Sequence, residues 1–265
     1  MTVPFENDTG NIVRKLARKS LKSEKRRNLM VVIAVALASC LICFSIVMAL
    51  STRQIEKNHV EDTYEAVYTR ITEEDVSTLK GLDDFSRVGE YYMLAVEPAE
   101  QGYNASYIYC DEETMYIARD QMKLLEGRLP QKEDEVVVSR YFLSNYAADA
   151  GIGEKVMLSS ESFHGEYTVT GIMEGYKEKE VNGSSILLSK EALKGWSGYD
   201  PADYRAYVHF KNEQQMDETE LTARSREIAK EYQLEMPIMN LSYMKFYKQP
   251  VNVSMLALVA GIAVL

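Results

Sequence analysis

From Leu29 to Leu50 the chain runs through 22 residues without a charge or a proline. As a helix this run reaches roughly 33 Å, enough to cross the hydrocarbon core of a bilayer. A cleaved signal peptide has an apolar region of about 7–15 residues and a small-x-small cleavage site; "ALS" at Ala49–Ser51 matches that weakly. The run therefore reads as a retained span over residues 29–51. A second uncharged stretch, Val251–Leu265, is short of the roughly 20 residues a spanning helix needs and reads as the start of a second span, the alternative being an apolar tail packed on a soluble domain. Ahead of the first run, Ile12, Val13, Leu16, Ala17, Ser20 and Leu21 recur at helical spacing, with Arg14, Lys15, Arg18, Lys19 and Lys22 around the other side. Residues 1–28 thus hold a basic amphipathic helix suited to the inner leaflet, with Asp8 or Thr9 to cap it.

Between the two apolar runs, residues 52–250 alternate short strand and helix patterns. "TYEAVYTRI" predicts a strand and "TEEDVSTLKGL" a helix, with Thr72 and Asp75 as a capping box and Val76, Leu79 and Leu82 inward. "RVGEYYMLAVE", "ASYIYCD" and "MYIA" read as strands, the first two around a turn at Gly102. "EVVVS" predicts a buried strand, "RYFLSNYAA" a short helix, and "EKVML" with "GEYTVTGIME" a hairpin carrying Tyr167, Val169 and Gly171 on one face. Further on come a strand "SSILLS", a helix "KEALKGW" and the alternating strand "YRAYVHF", with Tyr204, Ala206, Val208 and Phe210 on one side. In "DETELTARSREIAKEY" the residues Leu221, Ile228, Ala229 and Tyr232 line one side, and Asp217 with Glu220 forms a second capping box. The fold class is α+β, a mixed domain with a small strand-rich lobe over about residues 127–174.

Charge orients the chain. Residues 1–28 carry eight basic and three acidic groups, +5, which leaves −15 of the total −10 for the remainder. The positive-inside rule places the N-terminus in the cytoplasm and residues 52–250 outside. An acidic external part argues against nucleic acid as a partner. All 18 tyrosines lie between the apolar runs. Cys40 and Cys43 sit within the first run, where they pack, and Cys110 is expected to be buried.

No catalytic, cofactor or metal site is expected. His59, His164 and His209 are scattered without a neighbouring ligand, and no GxSxG elbow occurs, although a triad assembled from distant residues stays open. The acidic clusters at Glu73, Asp111 and Glu133 lack the pattern of a calcium loop, and no glycine-rich phosphate loop is present. Gly127 and Pro130, with Gln131–Asp134, make a turn that Glu135 ends, delivering Val136–Val138 to a core. Gly151 and Gly153 permit a tight turn before the next strand.

Four segments together carry a resemblance. "ARKSLKSEKRRNLMVVIAVALASCL" resembles the start of FtsX-like permeases of the MacB type. "LEGRLPQKEDEVVVSRYFLSNYA", "AGIGEKVMLSS" and "EYTVTGIME" are similar, in the same order, to that family's extracellular core domain, over about Lys15–Glu174. The resemblance implies a permease module of four spans in the bacterial cell membrane. Its implied partners are an ABC-type ATPase, separate or fused, and a second permease half or homodimer partner. ATP-driven motion would pass to the outside domain for export, extraction or resistance to peptides, lipids or drugs. The loop that contacts the ATPase would lie beyond Leu265. The basic helix bearing Ile12, Val13, Leu16, Ala17 and Leu21 then reads as an interfacial lever against membrane lipid, or as a topology signal alone. A rival reading with the same topology is a membrane-anchored sensor whose external domain binds a ligand.

Overall fold

The computed structural model describes residues 9–175 and 178–248; the second apolar run and the capping position Asp8 lie outside the described residues. The chain divides into two compact units, with a boundary between Ile55 and Glu56. In the first, helix α1 (Thr9–Ser23) is followed by the start of helix α2 (Lys25–His59). Ile12, Val13 and Leu16 are exposed along α1. At 35 residues, α2 is long and apolar enough to cross a membrane, and none of its residues is buried. The helix does not stop where the apolar run ends: it continues through Thr52–His59, so the expected boundary at residue 52 falls inside a helix.

The second unit is built on one ten-stranded sheet. Its elements are β1 (Ala66–Ile71), α3 (Glu73–Lys80), β2 (Phe85–Pro98), β3 (Asn104–Cys110), α4 (Glu112–Ile117), β4 (Met122–Gly127), β5 (Glu135–Ser139), α5 (Arg140–Tyr146), β6 (Lys155–Ser159), β7 (His164–Gly175), α6 (Glu178–Val181), β8 (Gly183–Leu188), α7 (Lys190–Gly195), β9 (Tyr204–Phe210), α8 (Glu218–Glu231) and β10 (Ile238–Met239). A helical turn, Leu241–Tyr243, runs into a π-helical turn, Met244–Lys248. The strand order is β10-β1-β9-β2-β3-β8-β5-β7-β4, with β6 also on β7. Pairing is antiparallel except for β3 with β8 and β5 with β7.

Both faces of the sheet are covered. On one, Tyr68, Tyr92, Tyr204, Ala206, Val208 and Phe210 meet Val76 and Leu79 of α3, Phe142 of α5, Leu193 of α7 and Leu221 and Ile228 of α8. Alternation sends Tyr207 to the other face, where Tyr64, Val67, Tyr91 and Ile108 pack against Met115 and Ile117 of α4 and against Met122, Val137 and Met173. Cys110 lies in this second core as a free, buried thiol, and burial pushes its pKa up.

Both capping boxes form: Thr72 with Asp75 starts α3, and Asp217 with Glu220 starts α8. "MYIA", Met115–Ala118, is not a strand. Asp111 accepts from the Thr114 amide at 2.9 Å and caps α4, and with Glu112 and Glu113 in the first turn these residues go helical. Strand β4 had no clean alternation to announce it. The strand-rich stretch forms one end of the same sheet: β5 pairs with β8 through Val136–Leu188, Val137–Leu187 and Val138–Ile186, so the expected lobe has no sheet of its own.

Candidate functional site

In the second unit, polar groups from distant parts of the chain converge where α2 ends and the outgoing side, residues 240–248, passes it. The last turn of α2 carries Lys57, a cation suited to the negative end of a helix, and His59. Asp62, at φ 50°, turns the chain out of the helix, and Thr63 closes back on the Val60 carbonyl with both its amide (3.3 Å) and its hydroxyl (2.8 Å).

Two segments grip this end. The last residue of α4 and the loop after it, Ile117–Gln121, contribute five contacts. The Tyr64 amide donates to the Ile117 carbonyl at 3.0 Å, and the His59 imidazole, protonated at Nε2, donates to the Asp120 carbonyl at 3.1 Å. Arg119 donates to the Glu61 carbonyl and lies 3.7 Å from the Asp62 carboxylate, and Gln121 donates to the Tyr64 hydroxyl. From the outgoing side, the Asn240 amide donates to the Glu65 carbonyl at 2.8 Å and its side-chain nitrogen to the Tyr64 carbonyl at 3.0 Å. Lys57 lies 4.8 Å over the ring of Tyr247, which stacks on Tyr243 at 5.1 Å.

Glu65 lies beneath this joint with its side chain fully buried. Its carboxylate accepts from the Phe210 amide at 2.7 Å and faces Nδ1 of His209 at 2.7 Å; that nitrogen is also 3.1 Å from the Thr63 carbonyl. Burial raises the Glu65 pKa above the usual carboxylate value, against the pull of His209 and the Phe210 amide. For His209, burial works downward, but the bond to Glu65 outweighs it and the pKa is raised. A buried carboxylate and a partly buried imidazole hold β1 to β9 immediately after the helix.

The residues singled out from sequence lie elsewhere. Gly127 and Gly171 face each other across β4 and β7. Gly127 has φ +82°, and a Cβ there would meet the Thr170 carbonyl oxygen at 2.2 Å, so only glycine fits. Glu135 holds Arg128 with two bonds, 2.8 and 2.7 Å, and accepts from the Gln131 amide at 2.9 Å, closing the turn that contains Pro130. Arg128 foremost, then the Gln131 amide, pulls the Glu135 pKa down to about 2. Gly153, at φ +89°, makes the turn before β6. Gly151 opens the same turn without a left-handed backbone: its carbonyl accepts from the Glu154 amide at 3.1 Å and its amide donates to the Glu154 carboxylate at 2.8 Å. On α1, Ala17 is exposed like Ile12, Val13 and Leu16, and Leu21 falls within the helix. Gly127, Glu135, Gly151, Gly153 and Gly171 are not among the residues that form the joint.

Sequence reading missed the joint because its partners are far apart: 144 residues for Glu65 and His209, 176 for Tyr64 and Asn240. The one local signal was a histidine in the alternating "YRAYVHF". Among the described residues no group of three His, Cys, Asp or Glu side chains is placed to hold a metal ion.

Among curated proteins none matches the chain. Solved structures similar to it include two transporter domains. One is the extracellular domain of the noncanonic ABC-type transporter YknZ from Gram-positive bacteria, at 15% identity over 67% of this chain and 100% of that one, TM-score 0.47. The other is the periplasmic region of MacB from Actinobacillus actinomycetemcomitans, at 11% identity over 70% of this chain and 91% of that one, TM-score 0.47. The family model for the MacB-like periplasmic core domain matches residues 29–226, three quarters of the sequence, and the chain belongs to that family.

Proposed function

We propose that this chain is the membrane-entering helix and extracytoplasmic domain of an ABC transporter permease of the FtsX/MacB type. In this reading it stands in the bacterial cell membrane with its N-terminus inside. It works with an ABC-type ATPase and a second permease half or a homodimer partner, and itself catalyses no reaction. ATP hydrolysis on the inside moves α2, and the external domain carries that motion to peptides, lipids or drugs being exported, extracted or resisted. The observation that carries the reading is α2 itself, helical from the apolar run through His59 and gripped at its end by both the Ile117–Gln121 loop and the outgoing segment.

The test is made on the full-length protein with its ATPase in lipid. Thr52→Pro interrupts the helix between the apolar run and the joint, at a local cost of about 3 kcal/mol. ATP hydrolysis should continue while nucleotide-dependent distance changes between spin labels on the external domain disappear. Unchanged distances in the Pro variant refute the coupling. Movement driven by a ligand and indifferent to the ATPase would favour the sensor.

In the same reading α1 lies along the inner leaflet and moves with α2. Leu16→Ser with Leu21→Ser keeps every positive charge, so insertion and orientation survive. A lever loses coupling in that variant; unaltered coupling leaves α1 a topology signal only.

A further inference from the structure

In the sheet, β4 stands at the edge far from β1, with six strands between them. The end of α2 does not need that route. The loop Ile117–Gln121, which touches the Glu61–Tyr64 segment directly, leads straight into β4 at Met122. Met122 also shares a core with Tyr64 and Val67. A groove of about 550 Å³ runs beside the contact, between Asn58 and His59 at the helix end, Asp120 and Lys123 on the loop side, and Glu174 and Gly175 at the end of β7. The helix end, the loop and the β4–β7 edge are therefore neighbours in space.

Arg119 keys this contact. It donates to the carbonyl of Glu61, in the turn two residues past the end of α2, and it faces the Asp62 carboxylate at 3.7 Å. Its guanidinium is held in place by the ring of Tyr116, 5.2 Å away, and that ring also carries Arg87 at 4.2 Å, itself paired with Glu113 at 2.9 Å. A planar fork fixed this way keeps a defined geometry toward the turn that ends the helix.

We infer that the strap Ile117–Gln121, positioned by Arg119, couples the end of α2 directly to the edge strand β4. The functional meaning of the coupling rests on the transporter reading; the coupling itself does not. It is an energetic link between two sites, and a double-mutant cycle measures it.

The experiment is amide hydrogen exchange on the full 265-residue chain in lipid nanodiscs. His59→Ala removes the bond from the helix end to Asp120. In the otherwise native chain it should speed exchange of the β4 amides by about threefold or more. In the Arg119→Ala background the same change should have less than about half that effect, because the strap is already released. Arg119→Lys, which keeps the charge and loses the fork, should fall between. Amides of β10, which pair with β1 and not with the strap, serve as the control and should not respond to Arg119→Ala. Equal His59→Ala effects in both backgrounds, no effect on β4, or a matching rise in β10 would each overturn the inference. Should Arg119→Ala fail to fold, Arg119→Gln replaces it in the cycle. No ATPase enters these measurements, so their failure leaves the transporter reading standing. A failed Thr52→Pro test likewise leaves the coupling standing.

Discussion

Glu65 and His209 set a pH response at the scale of single residues. Both folded pKa values lie above their ordinary values of 4.5 and 6.5. A group shifted upward contributes stability that is complete below its unfolded pKa and is lost as pH rises through the folded one. The pair therefore weakens the joint as pH climbs from about 4.5 through and beyond 6.5. Glu135 and Asp84, held below their ordinary values by Arg128 and Arg224, act in the opposite sense and lose their contribution as pH falls through their folded values. Thermal melts should thus show a maximum on the mildly acidic side. Glu65→Gln keeps an oxygen for the Phe210 amide but removes the buried carboxylate, and with it the cause of the His209 rise. The decline in melting temperature between about pH 6 and 8 should flatten in that variant, as linkage requires. An unchanged slope assigns the decline to other groups.

At the scale of elements, local rules and distant contacts divide cleanly. Thr72 with Asp75 and Asp217 with Glu220 were legible because a capping box needs only four residues. Thr72→Ala and Asp217→Ala should each destabilise by about 1 kcal/mol, read from denaturant midpoints at constant m-value. A loss below a few tenths of that would mean solvent replaces the cap. "EVVVS" was legible as a buried strand, and all five of its residues are buried. The alternation of "MYIA" misled because Met115 and Ile117 are both buried on a single turn of helix, which a period of two mimics over four residues. Strand β4 was not legible, since its edge place depends on β7, some fifty residues away. The parallel pairs β3–β8 and β5–β7 were invisible for the same reason, and so was the joint.

At the scale of the whole second unit, the question is whether the strand-rich end melts with the rest. Two cores answer through the strands they share. The face covered by α4 draws Met122, Val137 and Met173 from the strand-rich end into contact with Tyr64, Val67 and Tyr207 from the other. The opposite face joins Val136, Val156 and Val169 to Tyr92, Tyr204 and Val208. Opening the strand-rich end alone would expose apolar surface on both faces, and each large side chain uncovered costs about 1.5–3 kcal/mol. Separate unfolding is therefore unfavourable, and a soluble chain of residues 54–249 should behave as one cooperative unit. The single tryptophan provides the test. Trp196 closes α7, 6.1 Å from the ring of Phe163 in the turn between β6 and β7, so its fluorescence reports on the strand-rich end. Far-ultraviolet circular dichroism reports on the sheet and helices together. The two urea transitions should coincide in midpoint and slope. A tryptophan transition that comes first would restore the strand-rich stretch as an independent lobe and divide the unit along the β5–β8 pairing.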